Sequence, residues 1–255
     1  MRQEAGDLDS GKFFVPIQLD NQEFEFFCDS GATFSGLKQN SITNSYPIIG
    51  THNFHSAAGV VLTAGNIVVG NIKLDKLVRT EFKLTVLPQQ FSHENTLGLD
   101  LLKKQRFVFD ARGLRLTVPS SSRTMLDTRL SLTKKGLISI PLFVGNTMSQ
   151  GIWDTGAELT VVSESFVKAN KSSFDFVKEV DKGNDSTGAS VKFMLYRLRH
   201  LRVGPIILDS LNVLSMDFSA VRAHFGAGAD FILGFNCIRG KIWEFDLAAM
   251  SWTAT

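Results

Sequence analysis

Two aspartates, each followed by a small hydroxyl residue and a glycine, are the residues of this sequence best suited to chemistry. Asp29 begins DSGA after the apolar run FEFFC, and Asp154 begins DTGA after GIW. Two carboxylates held together in a partly desolvated cleft cannot both ionise cheaply, so they share one proton. The charged one can take a proton from water while the protonated one polarises a carbonyl. This chemistry is suited to peptide hydrolysis without a metal or a covalent intermediate.

A duplication in the sequence is what distinguishes these two aspartates from a turn residue. The tripeptide DSG also occurs at Asp9, but there no apolar strand precedes it, no alanine follows it and no partner lies at the repeat spacing. In contrast, Asp154 follows Asp29 by 125 residues, VGNIKLDKL from Val69 matches VGPIILDSL from Val203, and TLGLDLLKKQRFVFD matches ILGFNCIRGKIWEFD. Three matches in the same order indicate a duplicated unit. A pseudo-two-fold axis between the copies would bring Asp29 and Asp154 face to face.

The elements that must position the aspartates are predicted to be strands. Short apolar runs broken by Gly, Asn and Asp favour an all-β fold. The polar, serine-containing stretch 119–135 is predicted to be a linker containing one edge strand at most. It separates a lobe at 12–118 from a lobe at 136–255, and 1–11 is an N-terminal segment. One short helix is expected after Ser163, a good N-cap.

Composition excludes several classes of function. Apolar residues make up 44% and charged residues 20% of the chain, and the net charge is +2. The basic residues are scattered, so no nucleic-acid partner is expected, and no apolar run is long enough for a membrane span. The N-terminus has no signal-peptide pattern, which leaves the cytoplasm for the chain as given, or the periplasm or secretion if a leader was removed. We expect no cofactor and no metal, because His52 and His55 lack a third ligand.

The paired motifs resemble those of the aspartic protease superfamily, both retropepsin-like and pepsin-like. In that superfamily each half has an apolar segment, D-[ST]-G, a flap hairpin and an apolar-apolar-Gly element. Here these are FFCDSGA with TLGLDLL, and GIWDTGA with FILGFNCI. The resemblance covers 12–255. It implies two similar retropepsin-like β-barrel lobes related by a pseudo-two-fold axis, with the active site in the cleft between them.

The function that this resemblance implies is that of an aspartic-type endopeptidase acting on an extended peptide or protein. One chain carries both half-sites, so we expect a monomer. The alternative is a catalytically silent member of the same fold that binds a peptide or protein. Retention of both Asp-hydroxyl-Gly motifs argues against that alternative, since a binding module has no need of a proton-sharing pair.

The residues around each aspartate have expected supporting roles. Ser30 and Thr155 are expected to hydrogen-bond across the axis, and Gly31 and Gly156 to allow the tight turn and present N–H groups to the carboxylates. The next residue in each loop is an alanine where pepsins usually have Ser or Thr, which removes a hydrogen bond to the ionised pair. We therefore expect a pH optimum less acidic than that of a pepsin. These two alanines are Ala32 and Ala157.

The cleft and flap residues are predicted from strand alternation and position. Cys28 and Trp153 should face the core, whereas Phe27 and Ile152 should face the cleft and form pockets for apolar side chains. The flap candidates lie in HSAAGVVLTAG of the first lobe and DSTGASVKF of the second, and either could close over a substrate. The flap residues singled out are Ala58, Gly59, Val60, Val61, Thr187 and Gly188.

Overall fold

The computed structural model describes residues 12–55, 61–89, 94–119, 126–184, 190–226 and 228–255. The first half of the chain contains nine strands and one short helix in the described residues. They are β1 (Phe14–Leu19), β2 (Gln22–Cys28), β3 (Gly36–Lys38), β4 (Thr51–His55), β5 (Val61–Leu74), β6 (Leu77–Leu87), β7 (Thr96–Leu97), α1 (Leu99–Leu102), β8 (Arg106–Asp110) and β9 (Arg115–Thr117).

The second half repeats this order and adds two short strands at its start and two further α-helices. Its elements are β10 (Thr128–Arg129), β11 (Ser131–Leu132), β12 (Ile138–Val144), β13 (Thr147–Trp153), β14 (Thr160–Ser163), α2 (Glu164–Ala169), β15 (Phe174–Asn184), β16 (Ser190–Val203), β17 (Ile206–Met216), α3 (Ser219–Phe225), β18 (Ala229–Leu233), α4 (Phe235–Ile238), β19 (Ile242–Asp246) and β20 (Ser251–Ala254). Ser163 caps α2 as predicted, because its hydroxyl accepts a hydrogen bond from the Phe166 N–H.

The main sheets of the two halves have the same topology. The first has the strand order β1-β2-β7-β3-β6-β5-β4, and the second has β12-β13-β18-β14-β17-β16-β15, preceded by the edge strand β11. Each order maps onto the other strand by strand, including the parallel pairs β2–β7 and β13–β18. The additional pairings β1–β5 and β12–β16 curl each sheet back onto itself. The protein is therefore all-β and bilobal, with two barrel lobes, as predicted.

A third sheet joins the two lobes. Its order is β10-β20-β19-β8-β9, so strands from both halves of the duplication lie side by side. The central pair, β8 with β19, runs antiparallel from Arg106 opposite Asp246 to Asp110 opposite Ile242. The predicted linker contributes β10 to this sheet and β11 to the second lobe, which makes two edge strands where the sequence predicted one at most.

A cluster of aromatic rings fills the space between this joining sheet and the active-site strands. Trp153 packs against Phe245 with ring centroids 4.6 Å apart and against Phe109 at 5.3 Å, while Trp243 stacks on Trp252 at 5.7 Å. All five side chains are at most 1% exposed. Burying a ring of this kind contributes about 1.5–3 kcal/mol, so the cluster is a substantial part of what holds the lobes together. No helix in the described ranges is long and apolar enough to cross a membrane.

One ion pair lies across the joining sheet. Arg106 in β8 contacts Glu244 in β19 at 2.7 Å, and the two side chains are only 13% and 24% exposed. By comparison, Glu164 and Lys168 form an exposed pair along α2 at 3.1 Å. The two pairs differ mainly in solvent access. If one partner were removed, water could solvate the remaining charge of the exposed pair more easily than that of the half-buried pair.

This difference gives a first prediction. Glu244→Gln should lower the free energy of unfolding by about 2 kcal/mol, because Arg106 loses a charged acceptor in a poorly solvated place. Glu164→Gln, the matched control, should lower it by at most about 0.5 kcal/mol. Urea unfolding followed by tryptophan fluorescence measures both. Equal losses in the two variants would show that the Arg106–Glu244 pair adds nothing beyond a surface contact.

Candidate active site

The strands that precede the two aspartates end against parallel partners at equivalent points. After β2 ends at Cys28, the Asp29 N–H donates to the Leu97 carbonyl at 2.9 Å. After β13 ends at Trp153, the Asp154 N–H donates to the Leu233 carbonyl at 3.0 Å. Each aspartate is therefore the first residue beyond a hydrogen-bonded strand end, which fixes where its backbone leaves the sheet.

Two glycines allow the chain to cross beneath these loops. Gly98 precedes α1, and Gly234 precedes α4. A Cβ on Gly98 would collide with the backbone of Phe34, and one on Gly234 with the backbone of Leu159. The crossing segments then hold the loops in place, because Leu99 and Phe235 donate N–H bonds of 3.0 and 2.7 Å to the carbonyls of Ala32 and Ala157.

Ser30 and Thr155 exchange hydrogen bonds across the lobe interface. The Ser30 N–H donates to Oγ1 of Thr155 at 3.0 Å, and the Thr155 N–H donates to Oγ of Ser30 at 2.9 Å. Each hydroxyl in turn donates to a carbonyl of the opposite strand, Ser30 to Trp153 at 2.8 Å and Thr155 to Cys28 at 2.7 Å. These are the cross-axis bonds that the sequence predicted. They are fully buried, so they fix the two loops relative to each other.

The two carboxylates meet across this interface, each against the turn of the other lobe. A Cβ on Gly31 would lie 2.5 Å from the carboxylate of Asp154, and one on Gly156 would collide with the carboxylate of Asp29. Glycine is therefore required at both positions because a side chain would collide with the opposite carboxylate, and not only because of the turn geometry. Their N–H groups donate to the aspartate of the same loop, Gly31 to Oδ1 of Asp29 at 2.9 Å and Gly156 to Oδ1 of Asp154 at 2.8 Å.

The surroundings favour a shared proton. Burial raises the pKa of Asp29 well above its ordinary value, and the nearby charge of Asp154 raises it further. Burial also raises the pKa of Asp154, against the lowering effect of the Gly156 and Ala157 N–H groups. Asp29 and Asp154 are each only partly buried, so solvent can reach the pair. Of two carboxylates so placed, one can hold a proton while the other stays charged.

Behind the loops, each lobe has a second polar pair that the sequence reasoning missed. In the first lobe the N–H and hydroxyl of Ser35 donate to the Asp100 carboxylate at 2.8 and 2.6 Å. In the second, the N–H and hydroxyl of Thr160 donate to Oδ1 of Asn236 at 2.8 and 2.9 Å. The sequence position of the acceptors could have identified these pairs, because each acceptor is the second residue after the crossing glycine. Burial raises the pKa of Asp100.

The predicted cleft residues are placed differently from expectation. Cys28 and Trp153 face the core as predicted, at 4% and 1% exposed, but Phe27 and Ile152 are each only 2% exposed. Ile152 belongs to the hydrophobic core cluster, and Phe27 packs against the ring of Phe14 at 5.8 Å. The prediction that these two side chains form open pockets is therefore wrong, because both are almost completely buried.

Two hairpins lie where flaps were predicted. In the first lobe β4 pairs with β5, and in the second β15 pairs with β16. The tips at 56–60 and 185–189 are outside the described residues, and with them Ala58, Gly59, Val60, Thr187 and Gly188.

Val61 is in the first of these hairpins, opposite His55, and 52% exposed. It shares a face with Thr63, whereas His52 on the other face contacts the Phe34 ring at 4.7 Å. Because Phe34 belongs to the active-site loop, Val61 points away from that loop rather than toward the cleft.

The other reactive groups in the described residues do not assemble into a metal or thiol site. In the ranges that the structure describes, no three His, Cys, Asp or Glu side chains are grouped so as to hold a metal ion. Cys28 and Cys237 are both buried and free. Burial raises the pKa of each thiol to about 12, so neither is available as a thiolate nucleophile.

Comparison with known proteins bears on the fold. No family model matches the chain, and no curated protein matches it in sequence. Among the solved structures, it is similar to conglutin gamma, described as a unique basic 7S globulin from lupine seeds, with a TM-score of 0.57 and 11% identity. The match covers 99% of this chain and 93% of that one. At this identity the likeness shows a shared fold alone.

A second prediction concerns the bonds between Ser30 and Thr155. Thr155→Val keeps the shape of the side chain but leaves the Ser30 N–H and the Cys28 carbonyl without their partner. It should lower the free energy of unfolding by about 2–4 kcal/mol. Thr155→Ser is the matched control, since the first lobe already uses serine here, and it should lose only about 1 kcal/mol for the missing methyl group. Similar losses in chemical denaturation of the two variants would contradict the assigned role.

A third prediction follows from the raised pKa of Asp29. A carboxyl whose pKa is raised in the folded state stabilises the fold below its unfolded pKa of about 3.9. That contribution is lost as pH rises through the folded pKa. Asp29→Asn stays neutral, so its stability relative to wild type should increase from about pH 4 to about pH 7. Thermal unfolding at several pH values measures this, with Asp9→Asn as a control expected to track wild type. A constant difference between Asp29→Asn and wild type would mean that the pKa of Asp29 is not raised.

Proposed function

We propose that this protein is an aspartic endopeptidase that hydrolyses peptide bonds with Asp29 and Asp154 as its catalytic pair. The observation that supports this most directly is the placement of each carboxylate against the glycine turn of the opposite lobe. The raised pKa values of both groups support it further. Asp residues in ordinary turns have no reason to meet, and two that do meet destabilise the fold unless they share a proton.

The chemistry follows from the two protonation states. The charged carboxylate accepts a proton from a water molecule as the water oxygen attacks the scissile carbonyl carbon. The protonated carboxyl meanwhile donates its proton to the carbonyl oxygen, which gives a tetrahedral diol. The carboxyl that took the water proton then donates it to the leaving nitrogen as the C–N bond breaks. One of the two diol hydroxyls returns its proton to the other carboxylate, which leaves a carboxylic acid, an amine and the pair in its starting state. No bond to the protein forms at any step.

The starting position of the proton is expected to favour Asp29. Oδ1 of Asp154 accepts N–H bonds from both Gly156 and Ala157, at 2.8 and 3.3 Å, and such bonds stabilise the charged form. Asp29 is also stabilised in its charged form by the N–H groups of Gly31, at 2.9 Å, and Ala32. The hydrogen bond between the two carboxyl groups, however, raises the pKa of Asp29 and lowers that of Asp154. On this basis Asp154 is the base that activates water, and Asp29 is the acid that faces the carbonyl oxygen.

The substrate is proposed to be an extended peptide or a protein segment. Both half-sites lie in one chain, so the active form is proposed to be a monomer. The alanines that follow each motif, Ala32 and Ala157, leave the pair without the hydroxyl donor that the sequence of a pepsin would supply. The optimum is therefore expected at a less acidic pH than that of a pepsin.

The second candidate is a catalytically silent module that binds a peptide or protein in the cleft. The observation in its favour is that conglutin gamma, which shares the fold, is described as a globulin and not as an enzyme. Fold alone does not decide between activity and binding. Retention of both aspartates, both hydroxyls and both glycines favours catalysis.

Peptide-library digestion from about pH 3 to about pH 8 tests the proposal. Asp29→Asn and Asp154→Asn should each reduce kcat/KM by about 100- to 10,000-fold, because each removes the acid or the base of the pair. Asp9→Asn, which alters the other DSG of the sequence, should retain wild-type activity.

Three results would count against parts of this proposal. Cleavage that survives either substitution at the paired aspartates would refute the shared-proton mechanism. Absence of cleavage by wild type at every pH would favour the binding module. An optimum below about pH 3 would contradict the role given to the two alanines.

A further inference from the structure

The two active-site loops differ in charge at one position. Their sequences are DSGATFS at 29–35 and DTGAELT at 154–160. The first four positions are matched in chemistry, and Ser35 and Thr160 at the seventh make equivalent hydrogen bonds. At the fifth position Thr33 in the first lobe corresponds to Glu158 in the second. The two loops themselves therefore differ by one exposed carboxylate, which makes their solvent-facing side electrostatically asymmetric.

Glu158 is held close to the catalytic pair with its side chain exposed. Its carbonyl accepts the Asn236 N–H at 3.2 Å, and the Ala157 carbonyl before it accepts the Phe235 N–H at 2.7 Å. The backbone that carries the carboxylate is therefore fixed by α4. Within the described part of the chain, no Lys, Arg or His lies in ion-pairing distance of the Glu158 carboxylate.

The corresponding corner of the first lobe is uncharged and partly aromatic. Thr33 is half-buried, and the next residue, Phe34, packs its ring against His52 at 4.7 Å. In the second lobe the residue after Glu158 is Leu159, also half-buried. The two loops thus differ in the residues that follow the matched motif: an exposed carboxylate in the second loop and an aromatic residue packed on His52 in the first.

We propose that Glu158 is a specificity-determining residue that selects a substrate with a lysine or arginine on the second-lobe side of the scissile bond. This rests on the proposed peptidase function. Glu158 lies four positions after Asp154, a span of at most about 14 Å of chain. An extended peptide rises about 3.3 Å per residue, so the cation lies within about four residues of the bond that is cut. Because only one side carries the carboxylate, a peptide with a single basic residue binds in one direction.

The test uses fluorogenic peptides with apolar residues at the scissile bond and either Lys or Gln placed in turn at each position on both sides of it. Wild type should cleave peptides with Lys at the best position about fivefold more efficiently than their Gln counterparts, mainly through KM. Glu158→Gln should remove this preference, so that it cleaves matched Lys and Gln peptides with equal efficiency. High salt should weaken the preference in wild type, because it screens an exposed pair.

Two further variants make the test specific to the position. Glu164→Gln removes one negative charge from the nearby exposed helix α2 and should leave the preference intact. Thr33→Glu supplies the missing carboxylate to the first lobe and should create a second preference, for Lys on the opposite side of the scissile bond. Equal cleavage of Lys and Gln peptides by wild type, or a preference that survives Glu158→Gln, would overturn the assignment.

The outcome can be separated from that of the proposed function. If wild type cleaves no peptide, the peptidase proposal fails, and fluorescence anisotropy with the same labelled peptides then decides the role of Glu158. Tighter binding of Lys peptides by wild type but not by Glu158→Gln supports it. Equal affinities for the Lys and Gln peptides refute it.

Discussion

The paired hydrogen bonds between Ser30 and Thr155 are the contact on which the arrangement of this molecule depends. Two carboxylates that face each other repel when both are charged, and the lobes that carry them would separate if nothing opposed the repulsion. Each hydroxyl accepts an N–H from the other loop and donates to a carbonyl of the other strand. The bonds are buried, so water cannot replace them without leaving polar groups unsatisfied. They hold the aspartates together at a place where electrostatics alone would push them apart.

The rest of the fold can be understood as support for this contact. The crossing segments at Gly98 and Gly234 lie close under the loops, where a Cβ would meet backbone atoms. The joining sheet places β8 of the first lobe directly beside β19 of the second. Between that sheet and the loops lies the aromatic cluster around Trp153, whose indole N–H has no partner in the described residues. A rigid base of this kind keeps the carboxylates in position when their charge changes.

The duplication makes the two lobes symmetric in the elements that position the paired aspartates, and the lobes differ elsewhere. The strand order, the cross-axis hydroxyls and the crossing glycines match in both lobes. The polar pairs behind the loops keep the same geometry with different residues, Ser35 with Asp100 and Thr160 with Asn236. The charge at Glu158 has no counterpart. A single chain can diverge in this way because each lobe mutates independently, which a homodimer of identical halves cannot do.

Much of this could be predicted from the sequence, because the decisive signals are local or repeated. Alternating apolar runs determine strands, and a D-[ST]-G motif in two copies at a fixed spacing identifies Asp29 and Asp154 together with their hydroxyl and glycine neighbours. Ser163 as the cap of α2 was predictable for the same reason. A duplicated pattern also predicts which residues lie close together in space, because equivalent elements of the two copies tend to meet across a two-fold axis.

Only the tertiary structure decided which surfaces are covered. Strand alternation placed Phe27 and Ile152 opposite the core, but both side chains are buried, and Val61 lies on the outer face of its hairpin. Contacts between distant parts of the chain also had to come from the structure. Ser35 and Asp100 are 65 positions apart, and Arg106 and Glu244, which pair across the joining sheet, are 138 positions apart. Periodicity reports which way a side chain leaves its own strand. What then packs over that side chain is set by distant segments, and no local pattern records it.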